Sequence, residues 1–445
     1  MASLTARQRR ALVLVLVVAA ALRLLWALYA TKAPILVVSG DPFFYFTYAK
    51  RIAAGDGYLN YFTGDATAYY PVGYPAALAG VFWLVLHTPI PDNLPMAGSI
   101  LNVVLGTATV WLVFAIGRAV FGTATGLAGA AITAVFPNLV FYTATMQVET
   151  TFIFCFLGAV AIIATHLWRD GLPSPARLVA FGGALGVSAL VRPFSLPLLV
   201  ALGLAVVVAG AGWRRALAAT GLTTAAFVLV ATPWIVRNAV ALDAPVFSTN
   251  MGDTLCIDRY PGSSGRFRFV DTAGCAPPGL SEAARNTENT KRALSFVRHH
   301  PFTELHLVTK RAWYMLENDH DGLVAVEGGK ADPFLGHRVR TLLSWGADAF
   351  WFAVLALAVF GVAAYVRGRR PAAAFTGFAL VTLLAVPLVL WGSTRFHLPA
   401  EPLLALTAGA TVVRMRVWRL ARTGAADGTR EASGRLDAHA PAAIS

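Results

Sequence analysis

Charged side chains are scarce in this sequence: they make up 13% of its 445 residues, while 57% are hydrophobic. Soluble domains carry about 25% charged residues, so the shortage excludes an ordinary soluble domain. Several apolar runs of about 18–20 residues are long enough to cross a hydrocarbon core of roughly 30 Å. The first run, 11–30, is too long for a signal-peptide core, and no small-residue cleavage site follows it. We therefore predict a membrane protein whose first span is retained.

Nucleotide-binding motifs are also lacking. The sequence contains neither GxxxxGK[ST] nor a GxGxxG that opens a helix after a strand. The net charge of +13 would suggest nucleic acid in a soluble protein. Here the basic residues lie mostly between apolar runs, as the positive-inside rule expects of cytoplasmic loops. We expect membrane lipids as partners and no nucleic acid.

The basic residues set a topology. Arg7, Arg9 and Arg10 precede the first span and place the N-terminus in the cytoplasm. The apolar run 73–87 is short and bounded by prolines, and as a span it would invert every later loop, so we place it on the outer surface. Both termini are then cytoplasmic in an all-α protein of about ten spans. The predicted spans cover about 11–30, 98–117, 125–145, 150–168, 178–193, 195–212, 217–235, 347–366, 372–391 and 400–417.

This topology divides the chain into four parts in a plasma membrane. We predict an N-terminal transmembrane module over 1–238, with its first outer loop at 31–97. An extracytoplasmic segment follows over 239–345, and the C-terminal spans occupy 346–420. The tail 421–445 is rich in Ala, Gly and charge, so we expect it to be disordered.

Four arginines do not fit the positive-inside pattern. Arg23, Arg192, Arg237 and Arg395 lie in the outer third of a predicted span or just beyond its outer end. Burying such a charge costs at least about 2.5 kcal/mol at a helix centre. Snorkelling or pairing with an acid explains any one of them. Four on one face favour an anion site at the outer leaflet, where a lipid phosphate is the obvious anion.

Prolines accompany three of these arginines, in LVRPFSLP, TPWIVRN and STRFHLPAEP. Proline at a span end stops or bends the helix, and irregular backbone at membrane depth is tolerated only in protein or along a polar cavity. The three segments therefore predict a cavity rim that opens outward. Asn238 and His397 belong to the same segments and join the candidate site.

The first outer loop supplies a carboxylate. We expect Asp41 to cap a helix that starts with Pro42 and ends near Ala54, where Gly55 provides a stop. Helical spacing places Tyr45 and Tyr48 on the stripe of Asp41. A purely structural cap with interface aromatics is the alternative interpretation.

The neighbouring segments extend this candidate cavity. The segment YYPVGYPAALAG adds Tyr70 and Tyr74, and Glu149 lies at the outer boundary before the fourth span. A boundary glutamate is also typical of a solvated helix start. Its predicted position on the same face as Asp41 and the arginines makes Glu149 a candidate second carboxylate.

These motifs resemble the GT-C membrane glycosyltransferases, in particular the dolichyl-phosphate-mannose-protein mannosyltransferase and aminoarabinose-transferase-like branch, family 39. The resemblance rests on six segments, SGDPFFYFTYAKRIAAGDGY, YYPVGYPAALAG, VETTFIF, RPFSLP, PWIVRNAVALDAPVFSTNMGD and TRFHLPAEPLLALTAG. The resemblance implies the GT-C fold, with juxtamembrane helices in the first outer loop. It also implies a polyprenyl-phosphate sugar donor, and it matches Asp41 to the catalytic aspartate. The chain departs from the family at Pro42, where a second acid is common.

The expected chemistry is sugar transfer to an acceptor hydroxyl of a glycan, lipid or protein. Asp41 suits the role of general base. The negative charge of the departing lipid phosphate can be stabilised by the four arginines and His397. The cofactor stays open: the chemistry is compatible with a divalent metal, but no residue pattern indicates one, and Asp319-His320-Asp321 is more typical of a polar loop. A ligase or polymerase with a diphosphate donor is one alternative. A transporter is another, although we see no convincing internal repeat.

The outer segment carries two further predictions. Residues 281–300 form an amphipathic pattern that Pro301 ends, and Leu305, Val308, Ala312 and Met315 follow along one face of a second helix. Lys310 and Arg311 are expected on a solvated face. Cys256 and Cys275 both lie in this segment, which faces an oxidising compartment, so we predict a disulfide between them.

Overall fold

The computed structural model describes residues 3–30, 40–89, 93–166, 168, 172–268, 275, 279–328, 334–366 and 370–437, and every regular element in these ranges is helical. The helices are α1 Ala6–Ala30, α2 Asp41–Ala54, α3 Gly73–Leu86, α4 Leu94–Val120, α5 Thr123–Ala134, α6 Pro137–Phe141, α7 Glu149–Ala164, α8 Pro175–Val191, α9 Leu198–Val208, α10 Trp213–Leu242, α11 Met251–Cys256, α12 Glu282–His299, α13 Pro301–Leu316, α14 Asp321–Gly328, α15 His337–Gly361, α16 Ala363–Val366, α17 Pro371–Ala385 and α18 Glu401–Asp437.

Each of the ten predicted spans corresponds to a helix or a helix pair, so the all-helical membrane class is confirmed. Among the described residues, six helical stretches are long and apolar enough to cross a membrane. The pair α5 and α6, bent by 59°, would make a seventh. The stretches that contain α7, α8 and α9 are apolar but shorter, so the count of ten stays a prediction. The same is true of α3, which we place on the outer surface.

Close helix packing in the membrane part depends on glycine. A Cβ atom at Gly182 in α8 would lie 2.2 Å from the carbonyl oxygen of Thr223 in α10. A Cβ atom at Gly129 in α5 would lie 2.8 Å from the Cα atom of Leu406 in α18. Both approaches are closer than any side chain permits. Small residues at such contacts are typical of helix association in membranes, where helices gain by packing rather than by burial from water.

Two of the three proline–arginine segments break their helices as predicted. Helix α8 ends at Val191, and Arg192 is extended, with φ −158° and ψ 126°, before a short 3-10 turn at Pro193–Ser195. Two further 3-10 turns, Thr394–Phe396 and Leu398–Ala400, precede α18. The third proline does not end its helix: Pro233 lies inside α10, which continues to Leu242. A proline removes one helical hydrogen bond, and the flanking turns of a long helix tolerate this loss.

The first described helix of the predicted outer loop 31–97 is α2, which ends as predicted at Ala54, before Gly55 with φ 87°. The predicted capping role of Asp41 is wrong. Gly40 is the N-cap, and within the described part of the loop no side chain caps the helix. Asp41 is instead the first helical residue, and its carboxylate is engaged elsewhere.

The outer segment contains the two predicted amphipathic helices, α12 and α13. Ser281 caps α12 by accepting a hydrogen bond from the Ala284 amide, and Pro301 starts α13. The predicted solvated position of Arg311 is wrong. Arg311 is 1% exposed, and its guanidinium donates to Asp258 and Glu304 at 2.7 Å each. Two acids thus compensate the buried charge, which a hydropathy pattern counts only as polar.

One other expectation for the outer segment differs from the structure. The inward stripe of α13 runs through Leu307, Arg311 and Met315, whereas Leu305 is exposed. The disordered tail over 421–445 stays a prediction: α18 reaches Asp437, and residues 438–445 lie outside the described ranges.

The disulfide prediction is confirmed. Cys256 and Cys275 are bonded, with their Cα atoms 6.0 Å apart, and Cys155 is a free thiol. The bond closes a loop with a sequence separation of 19 residues next to α11.

We expect the Cys256→Ser/Cys275→Ser variant to unfold with a free energy about 2–4 kcal/mol lower than wild type, because the unfolded chain loses a cross-link. Denaturation in detergent, compared with a Cys155→Ser control, measures the difference. Labelling of two outer thiols in the native, unreduced protein would contradict the disulfide.

Candidate active site

The largest concentration of predicted site residues surrounds a cavity that encloses about 870 Å³, its open mouth included. The start of α2, the end of α8, the helix α11 and the turns before α18 form its walls. Its polar lining includes Asp41, Tyr45, Tyr69, Tyr70, Arg192, Ser248, Asn250, Thr254 and Arg395. Its apolar lining includes Val148, Phe194, Met251, Phe267, Trp391 and Phe396.

Arg395 is the central cation of this cavity. Its Nη1 donates to Asp41 Oδ2 at 2.5 Å, and its Nε donates to Glu149 Oε1 at 2.5 Å. One planar guanidinium therefore joins two carboxylates that lie 108 residues apart in the chain. The 3-10 turn Thr394–Phe396 presents Arg395, and the Ser393 hydroxyl caps this turn through the Arg395 amide.

Both oxygens of Asp41 are engaged. Oδ1 accepts a hydrogen bond from Tyr70 Oη at 2.6 Å, while Oδ2 pairs with Arg395. Burial raises the pKa of the Asp41 carboxyl, but the charge of Arg395 and the hydrogen bond from Tyr70 outweigh burial and hold the pKa below its ordinary value. Burial and the negative charge of Asp41 raise the pKa of Tyr70 well above its ordinary value. Asp41 is therefore ionised at neutral pH, and Tyr70 is protonated.

Arg192 is the second cation of the cavity. Its Nη2 lies 3.3 Å from Glu149 Oε1, the oxygen that also accepts from Arg395. Its guanidinium carbon lies 4.9 Å from the ring centroid of Phe194, a cation–π contact. Glu149 is fully buried and lies behind both guanidiniums, so it positions two arginines rather than lining the cavity.

The two arginines have unused donors. Within the described chain, Arg192 Nη1 and Arg395 Nη2 are buried and have no hydrogen-bond partner. A buried guanidinium N–H group without an acceptor destabilises the folded protein, because it has lost its hydrogen bonds to water. Acceptor oxygens beside these donors would satisfy them, and a phosphate group offers several.

Aromatic rings form the other wall. Trp391 packs against Phe396 and Phe267, with ring centroids 4.7 Å and 5.0 Å away. Such a surface suits the apolar faces of a sugar ring or a prenyl chain. On the opposite side, Tyr69 Oη donates to Asp253 Oδ2 at 3.2 Å, which ties α11 to the first outer loop.

This arrangement does not fit a metal ion between Asp41 and Glu149. The Arg395 guanidinium lies between the two carboxylates and already compensates both charges. We derive no metal-dependent step at this cavity.

Known proteins resemble this chain in part of its sequence and in its fold. Residues 77–236 match the family described as dolichyl-phosphate-mannose-protein mannosyltransferase. The archaeal oligosaccharyltransferase AglB from Archaeoglobus fulgidus, solved with an inhibitory peptide and a dolichol-phosphate, is similar with a TM-score of 0.52 and 15% identity. That match covers 94% of this chain and 52% of AglB. The resemblance to GT-C membrane glycosyltransferases is confirmed.

Two other solved structures resemble this chain. The A. fulgidus oligosaccharyltransferase tethered to an acceptor peptide has a TM-score of 0.52 and 17% identity, over 91% of this chain and 49% of its own. ArnT from Cupriavidus metallidurans, bound to undecaprenyl phosphate, has a TM-score of 0.45 and 15% identity. That match covers 90% of this chain and 77% of ArnT. This chain thus spans about half the length of the archaeal enzyme. No curated protein matches it in sequence.

The GT-C fold brings five of the predicted site residues to the cavity and leaves the others elsewhere. Asp41, Tyr45, Tyr70, Arg192 and Arg395 line it. Glu149 lies directly behind them. Only the residues Arg192 and Glu149 of this set fall within the matched segment 77–236.

Two predicted phosphate ligands have other partners. Arg23 is 1% exposed and donates to the carbonyl oxygens of Thr133 and Ala134 at the end of α5. Arg237 donates to the carbonyl oxygens of Tyr58 and Thr67, at 2.8 Å and 2.7 Å, and so holds the first outer loop. Neither is among the described residues that line the cavity.

The remaining predicted residues have structural contacts. His397 is fully buried in a cluster with Asp319 and Glu401. Asn238 donates to the Val246 carbonyl oxygen at 2.8 Å and closes the end of α10. Tyr48 and Tyr74 pack behind the cavity wall, against Tyr58 and Tyr45, with ring centroids 4.8 Å and 5.1 Å apart.

Several lining residues are not among the predicted site residues. Tyr69 directly precedes the predicted Tyr70, and Trp391 and Phe267 come from segments more than 100 residues apart. The segment STNMGD carries Asn250 and Met251 into the cavity and belongs to the motif PWIVRNAVALDAPVFSTNMGD. That motif was the available signal.

Proposed function

We propose that this protein transfers a sugar from a polyprenyl-phosphate donor to an acceptor hydroxyl at the outer face of the membrane. One observation carries the proposal: two guanidiniums with unfilled donors, among the described residues, lie in one cavity with an ionised aspartate. The match to a family named for dolichyl-phosphate-mannose transfer supports the donor class. The likeness to AglB, solved with a dolichol-phosphate, supports a lipid-phosphate site in this fold.

The residues supply both halves of the reaction. Asp41 takes the proton of the acceptor hydroxyl as its oxygen attacks the anomeric carbon. The bond between that carbon and the phosphate oxygen breaks, and its electron pair leaves with the phosphate. Arg192 and Arg395 stabilise the negative charge that grows on the leaving phosphate. A single displacement of this kind inverts the anomeric configuration.

The contact between Asp41 and Arg395 couples the two roles. With both Asp41 oxygens engaged, the carboxylate is a weak base. A donor phosphate competes for the Arg395 guanidinium and adds negative charge beside Asp41. Both effects raise the pKa of Asp41 and make it a stronger base when the donor is bound. Glu149 keeps Arg395 in place during this exchange.

The coupling predicts a pH signature. The pKa of Asp41 is lowered in the free protein, so kcat/KM should fall only at low pH, where the carboxylate becomes protonated. The value of kcat reports the donor complex, in which the pKa is raised, so its acid limb should lie at higher pH. Steady-state pH profiles in detergent test this. A kcat limb at the same or lower pH than that of kcat/KM would contradict the coupling.

A donor panel tests the proposed function. Purified protein is incubated with polyprenyl-phosphate sugars and with polyprenyl-diphosphate sugars, and free lipid phosphate and transferred sugar are quantified. We expect turnover of at least one monophosphate donor, with lipid phosphate and transferred or hydrolysed sugar in equal amounts. Turnover of diphosphate donors alone would replace the proposal by a ligase or polymerase. Neither binding nor turnover of any donor would reject it.

A further inference from the structure

A second buried cluster lies apart from the cavity, where the turn after α13 meets α6 and the start of α18. It contains Asp319, His397 and Glu401, all without exposed surface. One potential ligand atom from each lies within 4.8 Å of the others. None of the three is among the described residues that line the cavity.

The imidazole of His397 has a defined orientation. Its Nδ1 contacts the Met315 carbonyl oxygen, which can only accept, so Nδ1 carries a proton. Its Nε2 lies 2.9 Å from Asp319 Oδ1 and 3.4 Å from Glu401 Oε1. Carboxylate oxygens also accept, so either a proton or a metal cation must lie among these three atoms. A carbonyl that fixes the distal ring nitrogen is typical of metal-binding histidines.

The carboxylates of Asp319 and Glu401 are only partly hydrogen-bonded. Asn138 Nδ2 donates to Asp319 Oδ1 at 2.6 Å and to Glu401 Oε1 at 3.3 Å. The Gly322 amide donates to Asn138 Oδ1 and fixes that side chain. In the described structure, Asp319 Oδ2 and Glu401 Oε2 are buried without any partner. A proton on Nε2 would leave both of these oxygens unsatisfied, whereas a cation can draw both carboxylates inward.

We propose that Asp319, His397 and Glu401 bind a divalent transition-metal cation, for which Zn²⁺ is the best-fitting case. Zinc bonds of about 2.0–2.2 Å in a tetrahedron place ligand atoms about 3.3 Å apart, close to the observed 2.9 Å and 3.4 Å. Two carboxylates and one neutral imidazole balance the charge of the ion. The Trp351 ring stacks on His397, with centroids 4.1 Å apart, and shields the site.

The ion would have a positioning role. It joins the turn that carries Asp319 to the segment that carries His397 and Glu401. His397 lies two residues after Arg395, so the same segment presents the cavity's central cation. The proposal does not depend on the donor proposed above, because metal content is measured without any substrate.

Metal analysis of the full-length protein, purified without an affinity metal or chelator, tests the proposal. We expect about one Zn²⁺ per chain by mass spectrometry. Removal by a strong chelator should lower the melting temperature, and Zn²⁺ should restore it. Co²⁺ added to the stripped protein should give visible absorption bands, which a merely structural ion pair would not.

Variants locate the ion. Glu401→Gln should reduce the metal content at least fivefold, whereas His320→Gln, a partly exposed neighbour of Asp319, should retain it. If Glu401→Gln does not fold, the wild-type metal content and the Co²⁺ spectrum still decide whether the protein binds a metal ion. Less than about 0.1 metal ion per folded wild-type chain would overturn the proposal. Full retention of the metal by Glu401→Gln would overturn the assignment of its ligands.

Discussion

Asp41→Asn is expected to lower kcat by about 10²–10⁴-fold, the range in which a general base contributes. The amide has nearly the shape of the carboxylate but cannot take a proton from an acceptor hydroxyl. Arg395 keeps Glu149 as a partner, and Arg192 is unaffected, so the variant should fold and bind the donor lipid. Turnover and donor binding by the purified variant measure the two effects separately.

The matched control for this variant is Asp56→Asn. Asp56 is an exposed acid just after the end of α2, in the same loop as Asp41. Its substitution should leave turnover unchanged. Wild-type-like turnover by Asp41→Asn would remove the base from the mechanism, and loss of donor binding would mean that the carboxylate is needed to build the site.

Arg395→Lys is expected to lower kcat by about 10²–10³-fold, the loss typical of one stabilising donor in a preorganised site. The ammonium keeps a positive charge beside the buried Glu149 and the partly exposed Asp41. It cannot reproduce a planar fork that reaches Asp41, Glu149 and a phosphate together. Steady-state rates with a monophosphate donor measure the loss.

Arg298→Lys, at an exposed position of α12, is the control for the general effect of replacing an arginine by a lysine. Arg192→Gln provides a second comparison, because Glu149 retains Arg395 there and only one phosphate donor group is lost. We expect its rate to fall between those of wild type and Arg395→Lys. Equal rates for Arg395→Lys and wild type would show that charge alone, without the fork, suffices.

The sequence predicted the parts of the site that depend on local rules. Prolines beside Arg192 and Arg395 indicated broken helix ends, and the structure has 3-10 turns at both places. The order of motifs indicated the GT-C fold. Position relative to the membrane face indicated Asp41 and the arginines as one group, and two of the four arginines lie with Asp41 in the cavity.

The remaining predictions required long-range information that local patterns do not contain. Arg23 and Arg237 obey the same depth rule as Arg192, yet carbonyl oxygens of distant segments take their donors. His397 lies two residues from Arg395, but the turn directs it to the opposite side, toward Asp319. The capping role of Asp41 failed because a guanidinium 354 residues away binds its carboxylate more strongly than a backbone amide does.

Binding of polyprenyl phosphate, the expected product, tests the central claim most directly. Native mass spectrometry or equilibrium binding in detergent should show about one equivalent per wild-type chain, and uncharged polyprenol should not compete. The Arg192→Gln/Arg395→Lys variant should bind about tenfold more weakly or worse, because each charge-assisted hydrogen bond contributes roughly 1.5–3 kcal/mol. Equal binding by wild type and this variant would contradict the assignment of the cavity as a lipid-phosphate site.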